Sequence, residues 1–420
     1  MSRKARLAAR PLTHGQRLDR LAMVAVKVGA NIQPGQQLIM TANVESLPLV
    51  RRITDHAYGA GASLVTTLFS DEQTVLSRFR HGQDAAFESA TGWLFEGMAN
   101  ALNDGAARLA ICGDNPKLLD AVDPEKVGRV NSARAKAYKP VSDAITQFRT
   151  NWNIVSYATT GWAKAVFPDL HPKTAQAKLF DAIFKASRVD GDDPIAAWKA
   201  HNAELAKRRD WLNAKNFHSL RYYGPGTDLT VGLADGHAWC GGAATSQSGI
   251  TCNANIPTEE VFTTPHAFRV DGYVTSTKPL NHAGSLLQGI QVRFEGGRIV
   301  SASALKGDHV LQKMIGTDDG SCRLGEVALV PHSSPISQSG ILFLETLYDE
   351  NAASHIALGQ SYRKAFRNWK GLVQDDFVAR GANQSNIHVD WMIGSGEIDV
   401  DGIHADGTIE PVMRKGEWAQ

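Results

Sequence analysis

Two textures that meet near residue 215 constrain the fold of this 420-residue chain more than any other feature. Before that point helix and strand signals alternate. Leu18, Leu21, Ala22, Ala25 and Val28 repeat at helical spacing and stop at Gly29, a residue type that closes helices. The turn Gln33-Pro34-Gly35 leads into 37–42, a short apolar run read as a strand. Ser46 stands where an N-cap belongs, ahead of Leu47, Val50, Ile53 and Ala57, and Gly59-Ala60-Gly61 ends that helix. Residues 62–69, 108–112 and 153–157 read as further strands. Strand–helix–strand repetition at this spacing predicts a largely parallel sheet with helices on its faces.

Residues 174–216 are helical in pattern and highly charged, and past Phe217 the texture changes. The runs 217–223 and 227–233, joined by Gly224-Pro225-Gly226, form a hairpin signal. Short strands follow, punctuated by Gly242, Gly249, Gly272, Gly284, Gly289, Gly296 and Gly297. The fold expected is therefore α/β, in two domains. Residues 1–215 make an N-terminal α/β domain with a largely parallel sheet. Residues 216–420 make a C-terminal α+β domain rich in antiparallel strands. A length two to three times that of a single domain, with 43% hydrophobic residues, supplies the two cores this requires.

Charge narrows the function. Forty-four Lys and Arg balance 43 Asp and Glu, which argues against a chain built to hold nucleic acid or an anionic membrane. No run approaches the roughly 18 apolar residues of a membrane-spanning helix. Residues 1–10 carry Arg3, Lys4, Arg6 and Arg10 without the apolar core of a secretory signal, and read as a solvated tail rather than a transit peptide. Cys112, Cys240, Cys252 and Cys322 show no CxxC spacing, so free thiols in the cytoplasm are expected. Gly59-Ala60-Gly61 follows a helix and precedes a strand, the reverse of a dinucleotide fingerprint, and no P-loop is present.

The chemistry concentrates in four segments of the second half. In LGEVALV, Glu326 is the one charged group of an otherwise apolar strand, so it needs a metal or a basic partner from elsewhere. In IHVDWMI, period two puts His388 and Asp390 on one strand face, as metal ligands or as a hydrogen-bonded couple. In DENAASHIALG, Asp349 is expected to cap a helix with Glu350 in its first turn, and His355 and Tyr362, seven apart, share a helix face. Gly359 on that face admits a backbone or a substrate. In PTEEVF, Glu259 and Glu260 are neighbours in extended chain and point opposite ways; one reaches a site while the other meets solvent or a second role.

Together these carboxylates and histidines exceed the needs of one tetrahedral ion. Two ions roughly 3.5–4 Å apart, sharing a carboxylate, would use them, and mixed carboxylate and imidazole donors suit zinc, with cobalt or manganese as alternatives. No HExxH and no GxSxG occurs. The readings left open are a dinuclear hydrolase, a dinuclear phosphoesterase, and a metal-stabilised binding protein without activity.

The chain resembles the aminopeptidase T family of dinuclear metalloaminopeptidases. The resemblance runs from VKVGANIQPGQ at 26–36 to the terminal Gly416-Glu417-Trp418, and its most specific parts are NIPTEEVFT, RLGEVALV, LYDENAASHIALG and NIHVDWMIG. It implies metal ligands at Glu260, Glu326, His355, His388 and Asp390, a further acidic position of the metal site at Glu350, and an active-site tyrosine at Tyr362. It also implies a cytoplasmic homodimer that removes N-terminal residues from peptides with a free N-terminus. The basic extension at the front is the one departure noticed. On this reading Glu259 or Glu350 moves the proton from the attacking water to the leaving amine, and Tyr362 donates to the developing oxyanion.

Overall fold

The computed structural model describes residues 11–282 and 285–420; the basic stretch 1–10 lies outside them. Helix α1 (His14–Val24) starts with a reciprocal cap, the Thr13 hydroxyl accepting from Gln16 N while the Gln16 side chain accepts from Thr13 N. A π-helical stretch, Ala25–Ala30, continues it to Asn31, whose φ of 49° closes it. Gly29 is therefore not the cap. It packs on Asn153, whose side chain would stand 2.5 Å from an added Cβ.

Strands β1 (Gln37–Asn43), β2 (Leu64–Ser70), β3 (Ala107–Cys112) and β4 (Trp152–Ser156) form an all-parallel sheet in the order β2-β1-β3-β4. Helix α2 (Leu47–Gly59) crosses from β1 to β2, α3 (Glu72–His81) and α4 (Gly92–Asn103) from β2 to β3, and α5 (Pro124–Thr146) from β3 to β4. The Ser46 hydroxyl caps nothing; α2 is entered through a 3₁₀ turn that Asn43 caps. After α6 (Thr160–Val166), the charged stretch divides into α7 (Pro172–Ala186) and α8 (Pro194–Lys215). Leu21, Val26, Leu38, Met40, Leu109, Phe184 and Trp198 belong to the core these elements share.

The second half contributes β5 (Ser219–Gly224), β6 (Thr227–Leu233), β7 (Cys240–Gly241), β8 (Ala244–Thr245), β9 (Thr251–Cys252), β10 (Val261–Thr263) and β11 (Pro265–Thr275). The hairpin at β5–β6 turns at Pro225-Gly226, with Gly226 at φ 71°. Then come β12 (Leu280–His282), β13 (Ser285–Leu287), β14 (Gln291–Glu295), β15 (Arg298–Ser303), α9 (Asp308–Ile315) and β16 (Leu324–Leu329). The short α10 (Pro335–Ser339) and α11 (Thr346–Asp349) precede β17 (His355–Gly359), α12 (Gln374–Ala379), β18 (His388–Met392), β19 (Asp399–Ile403), β20 (Ile409–Arg414) and β21 (Glu417–Trp418).

Among the described residues the two larger antiparallel sheets are ordered β15-β14-β11-β6-β5-β19-β20-β21 and β18-β17-β16-β10-β7, and β8-β9 and β12-β13 pair separately. Tyr222, Val231, Val270 and Phe294 of the larger share a core with Val327, Leu329, Ile356, Leu358, Val389 and Trp391 of the smaller. The two halves are also stitched together. Ile154 N donates to Ala254 O and Ile256 N to Ile154 O, so the stretch leading to Glu260 extends the β4 edge of the parallel sheet. Ile336, Phe343, Leu347 and Tyr348 join the N-terminal core, and Trp162 Nε1 donates to Phe343 O at 2.6 Å.

Candidate metal centre

Residues directly opposed across antiparallel strands lie on the same face of a sheet. Glu326 on β16 opposes Ala357 on β17, which opposes Asp390 on β18; Ala328 opposes His355, and Gly359 opposes His388. Glu326, His355, His388 and Asp390 thus rise from one face, around the small Ala357. The other face is the apolar core. This is why β16 is buried at all six positions.

A bulge makes the arrangement possible. Simple alternation would put Leu324 on the same face as Glu326. Leu324 pairs with Leu358, however, and Glu326 with Ala357: two steps on β16 against one on β17. The extra residue is Gly325, where an added Cβ would stand 2.3 Å from Gly359 O and 2.5 Å from Gln360 O. Leu324 therefore enters the core while Glu326 turns to the site. Gly359, at φ 103°, does admit another backbone: an added Cβ there would meet Ile387 O at 2.1 Å.

The helix expected to carry His355 and Tyr362 does not form. α11 and a 3₁₀ turn, Glu350–Ala352, end before Ser354, and His355 is the first residue of β17. The apolar run HIALG fills the space between β16 and β18, and pairing on both sides overrides the helical spacing. Ser354 fixes its start by exchanging hydrogen bonds with Val330 N and O and by accepting from Ile393 N and Gly394 N. Asp349 caps no helix start either; its carboxylate accepts from Phe343 N and Glu345 N at 2.8 and 3.1 Å. Tyr362 lies beyond β17 and reaches the site another way, its ring centroid 4.6 Å from that of His388.

Glu260 arrives just before β10. His355 Nε2 stands 3.3 Å from Glu260 Oε2, 3.7 Å from Glu326 Oε1 and 3.9 Å from Asp390 Oδ1. His388 Nε2 stands 3.8 Å from Glu326 Oε2 and 3.4 Å from Asp390 Oδ1. On the far side of each ring, Nδ1 meets a backbone carbonyl, Ala353 O at 3.1 Å and Gln360 O at 2.7 Å. Those bonds place a proton on Nδ1 and turn Nε2 toward the carboxylates. Among the described residues no lysine or arginine pairs with Glu260, Glu326 or Asp390 within 4.0 Å; the two imidazoles are their basic partners.

The electrostatics follow. Burial raises the Glu326 carboxyl above its usual range. Burial also raises Glu350, and nearby Glu260 and Asp390 push it further. Burial alone would depress both histidines, but Glu260 and Glu326 hold His355 well above its ordinary value, and Asp390 brings His388 to about 9. Burial would likewise raise Asp390, yet His388 outweighs it and the net shift is downward. So many acids in one place require positive charge.

The donors form two triads, Glu260–Glu326–His355 and Glu326–His388–Asp390, each with its ligand atoms within 4.8 Å of one another. Glu326 belongs to both. Glu260 Oε2, Glu326 Oε2, His355 Nε2 and Asp390 Oδ1 are buried with no hydrogen-bond partner. Orphaned polar atoms of this kind cost several kcal/mol each unless a cation satisfies them. The residues present therefore fit divalent ions. Glu350 and Asp390 also line a small cleft of about 40 Å³ beside the triads, with Leu280, Leu344, Glu345 and Met392.

Glu259 is the candidate that the structure keeps apart. Its carboxylate is 4% exposed and turned to Arg188, 2.7 Å away, so it is not free to move a proton in the cleft. Adjacent Glu259 and Glu260 do point opposite ways. Arg188, His201 and Asn351, which hold this segment, were not legible as site residues. The first two lie 71 and 57 positions from their contacts, Glu259 and Thr258. Asn351 sits inside the DENAAS segment, the one signal that could have drawn attention to it.

The sequence profile of the thermophilic metalloprotease (M29) family matches residues 14–418. The chain belongs to this family. It is 50% identical over 402 residues to aminopeptidase T of Thermus thermophilus, covering 96% of this chain and 98% of that protein. Aminopeptidase 2 of Geobacillus stearothermophilus is 46% identical over 402 residues, covering 96% and 97%. The solved structure of wild-type AmpT from Thermus thermophilus superposes with a TM-score of 0.93 at 48% identity, covering 97% of this chain and all of that one. The metalloprotease assignment and the orphaned donors agree: the fold, N-terminal parallel sheet and antiparallel C-terminal half alike, is that of a metalloenzyme.

Proposed function

We propose that this metalloprotease removes the N-terminal residue from peptides at a centre of two divalent ions. The family and the aminopeptidases related to the chain make it a metal-dependent aminopeptidase, a hydrolase. The observation that carries the two-ion reading is Glu326, one buried carboxylate common to both donor triads. Glu260, Glu326 and His355 would hold one ion and Glu326, His388 and Asp390 the other, with Glu350 a further acid beside them. Bound there, divalent ions supply Lewis acidity and bring the pKa of water toward about 7.

The rest falls to the chain. Glu350, at the cleft and raised by burial, is suited to accept the proton of the attacking water and deliver it to the leaving amine. The Tyr362 hydroxyl, its ring against His388, donates to the developing oxyanion. The donor set favours zinc, with cobalt or manganese next. We read the protein as a cytoplasmic homodimer, as the family resemblance implies, and the four free cysteines suit a reducing compartment. Among the described residues no helix is long and apolar enough to cross a membrane. The division at 1–215 and 216–420 is kept, supported by the parallel sheet on one side and the antiparallel sheets on the other.

A phosphoesterase would want cations around its phosphate. Arg323, the one basic residue of the ligand motifs, is spent elsewhere: its Nη1 donates to Ala267 O at 3.0 Å and its guanidinium covers the Phe268 ring. The test strips the protein with chelator, reloads it with zinc, cobalt or manganese, and compares leucyl p-nitroanilide, its N-acetylated form and p-nitrophenyl phosphate. Turnover of the free-amine substrate alone, and only with metal, is expected. Equal rates on the acetylated substrate, or phosphate release, would overturn the reading.

A further inference from the structure

We propose that Arg188, in the N-terminal half, is a positioning residue for the metal centre: it holds Glu259 outward and thereby fixes the direction of Glu260. The idea rests on the two-ion reading above.

Arg188 follows α7 at φ 57°. Its Nη2 donates to Glu259 Oε2 at 2.8 Å and its Nη1 stands 2.7 Å from Glu259 Oε1, an ion pair 18% and 4% exposed in which Oε1 accepts no hydrogen bond. Nothing in the guanidinium's surroundings is slack. Nη1 donates to Ala186 O at 3.1 Å, Nη2 meets His201 Nδ1 at 3.1 Å, and the group lies 5.4 Å from the centre of the Trp198 ring. His201 in turn donates from Nε2 to Thr258 O at 2.7 Å. Glu259 N donates to Asn351 Oδ1 at 2.7 Å, and Asn351 Nδ2 donates to Leu347 O at 3.0 Å and lies 3.4 Å from Glu350 Oε1.

The carbonyl of Thr258 and both the side chain and the amide of Glu259 are thus all held from outside the segment. The next residue is Glu260. The two neighbours point to opposite sides of the chain, Glu259 to Arg188 and Glu260 to His355, so a Glu259 locked onto Arg188 keeps Glu260 in the direction of His355. A buried ion pair adds little net stability over an apolar pair of the same volume. What it adds is geometry, because the planar guanidinium bonds Glu259 Oε2 and Ala186 O at once while meeting His201, a fixed fork that lysine lacks. The same Asn351 reaches Glu350, so the lock braces two acids of the site.

The experiment uses the full chain with zinc as the probe. Wild type is measured first: failure to bind two zinc ions per chain would defeat the two-ion reading and not the lock. Arg188→Met, Arg188→Lys and the double variant Arg188→Met with Glu259→Met are then compared with Leu179→Ala, a truncation in the core that α7 shares. Zinc affinity comes from competition with an indicator chelator, stoichiometry from elemental analysis, and kcat and KM from leucyl p-nitroanilide. Supporting the site from behind is typically worth about 10–100-fold in metal affinity. Arg188→Met should weaken one of the two ions by that factor and lower kcat more than it raises KM, with Arg188→Lys intermediate. The double variant should recover melting temperature without recovering affinity, and Leu179→Ala should lose melting temperature and keep its affinity. If Arg188→Met does not fold, the double variant and Arg188→Lys decide in its place. Both affinities within threefold of wild type in the folded Arg188 variants, or an equal loss in Leu179→Ala, would overturn the proposal.

Discussion

Replacing Glu326 by glutamine removes one charge and leaves the volume almost unchanged, so it tests the shared carboxylate without opening a cavity. Its oxygens lie 3.7 Å from His355 Nε2 and 3.8 Å from His388 Nε2, one toward each triad. At about 4 Å and an effective dielectric of about 20, a unit charge pair is worth about 4 kcal/mol. By the scale of 1.4 kcal/mol per decade, that is about 10³ in affinity. Because Glu326 serves both triads, Glu326→Gln should weaken both ions by about that factor, whereas Glu260→Gln should weaken one. The assay titrates zinc into chelator-stripped protein against an indicator of known affinity, counts ions by elemental analysis, and follows turnover of leucyl p-nitroanilide. Folding should hold, because the neutral amide lacks the charge that burial penalises. A variant that keeps two ions within about tenfold of wild-type affinity would show that Glu326 is a structural acid and that the overlap of the triads has no consequence.

Ala357→Val puts two methyl groups on the floor between Glu326 and Asp390; overpacking of about 1–3 kcal/mol and at least a tenfold loss of zinc affinity are expected, checked by thermal melts and stoichiometry. Tyr362→Phe should leave zinc content and melting temperature unchanged yet lower kcat by about 10²–10³, and a kcat within about threefold of wild type would retire the tyrosine as oxyanion donor. Glu345, raised by burial to about 7, predicts a pH effect. Its folded pKa exceeds its unfolded one, so its contribution to stability is complete below about 4.5 and is lost as pH rises through about 7. Melts of chelated wild type and Glu345→Gln should therefore diverge in favour of the variant between pH 5 and 8; a constant difference would refute this.

The site was legible to different depths at different residues. Glu326 stood out because a lone charge in an apolar run must be compensated, whatever the fold. His388 and Asp390 could be put on one face because period two survives in a short strand with polar residues on one side. His355 could not be placed correctly. HIALG is buried on both faces, so it carries no alternation, and the spacing to Tyr362 happens to suit a helix as well. The bulge at Gly325 was equally hidden, because an inserted residue shows only against its partner strand.

What the sequence by itself determined is therefore local and chemical. It carries the alternation of helix and strand before residue 215, the β5–β6 hairpin with Gly226 at its turn, and the set of acids and histidines too costly to bury without positive charge. What only the tertiary structure decided is which of those groups meet. Strand order set β16, β17 and β18 side by side, the bulge turned Glu326 out of the core, and Arg188 claimed Glu259 for the interior of the protein and left Glu260 to the site. The reason is physical: periodicity records how much of a residue is buried, whereas function depends on what it is buried against, and that partner is supplied by chain tens to more than a hundred residues away.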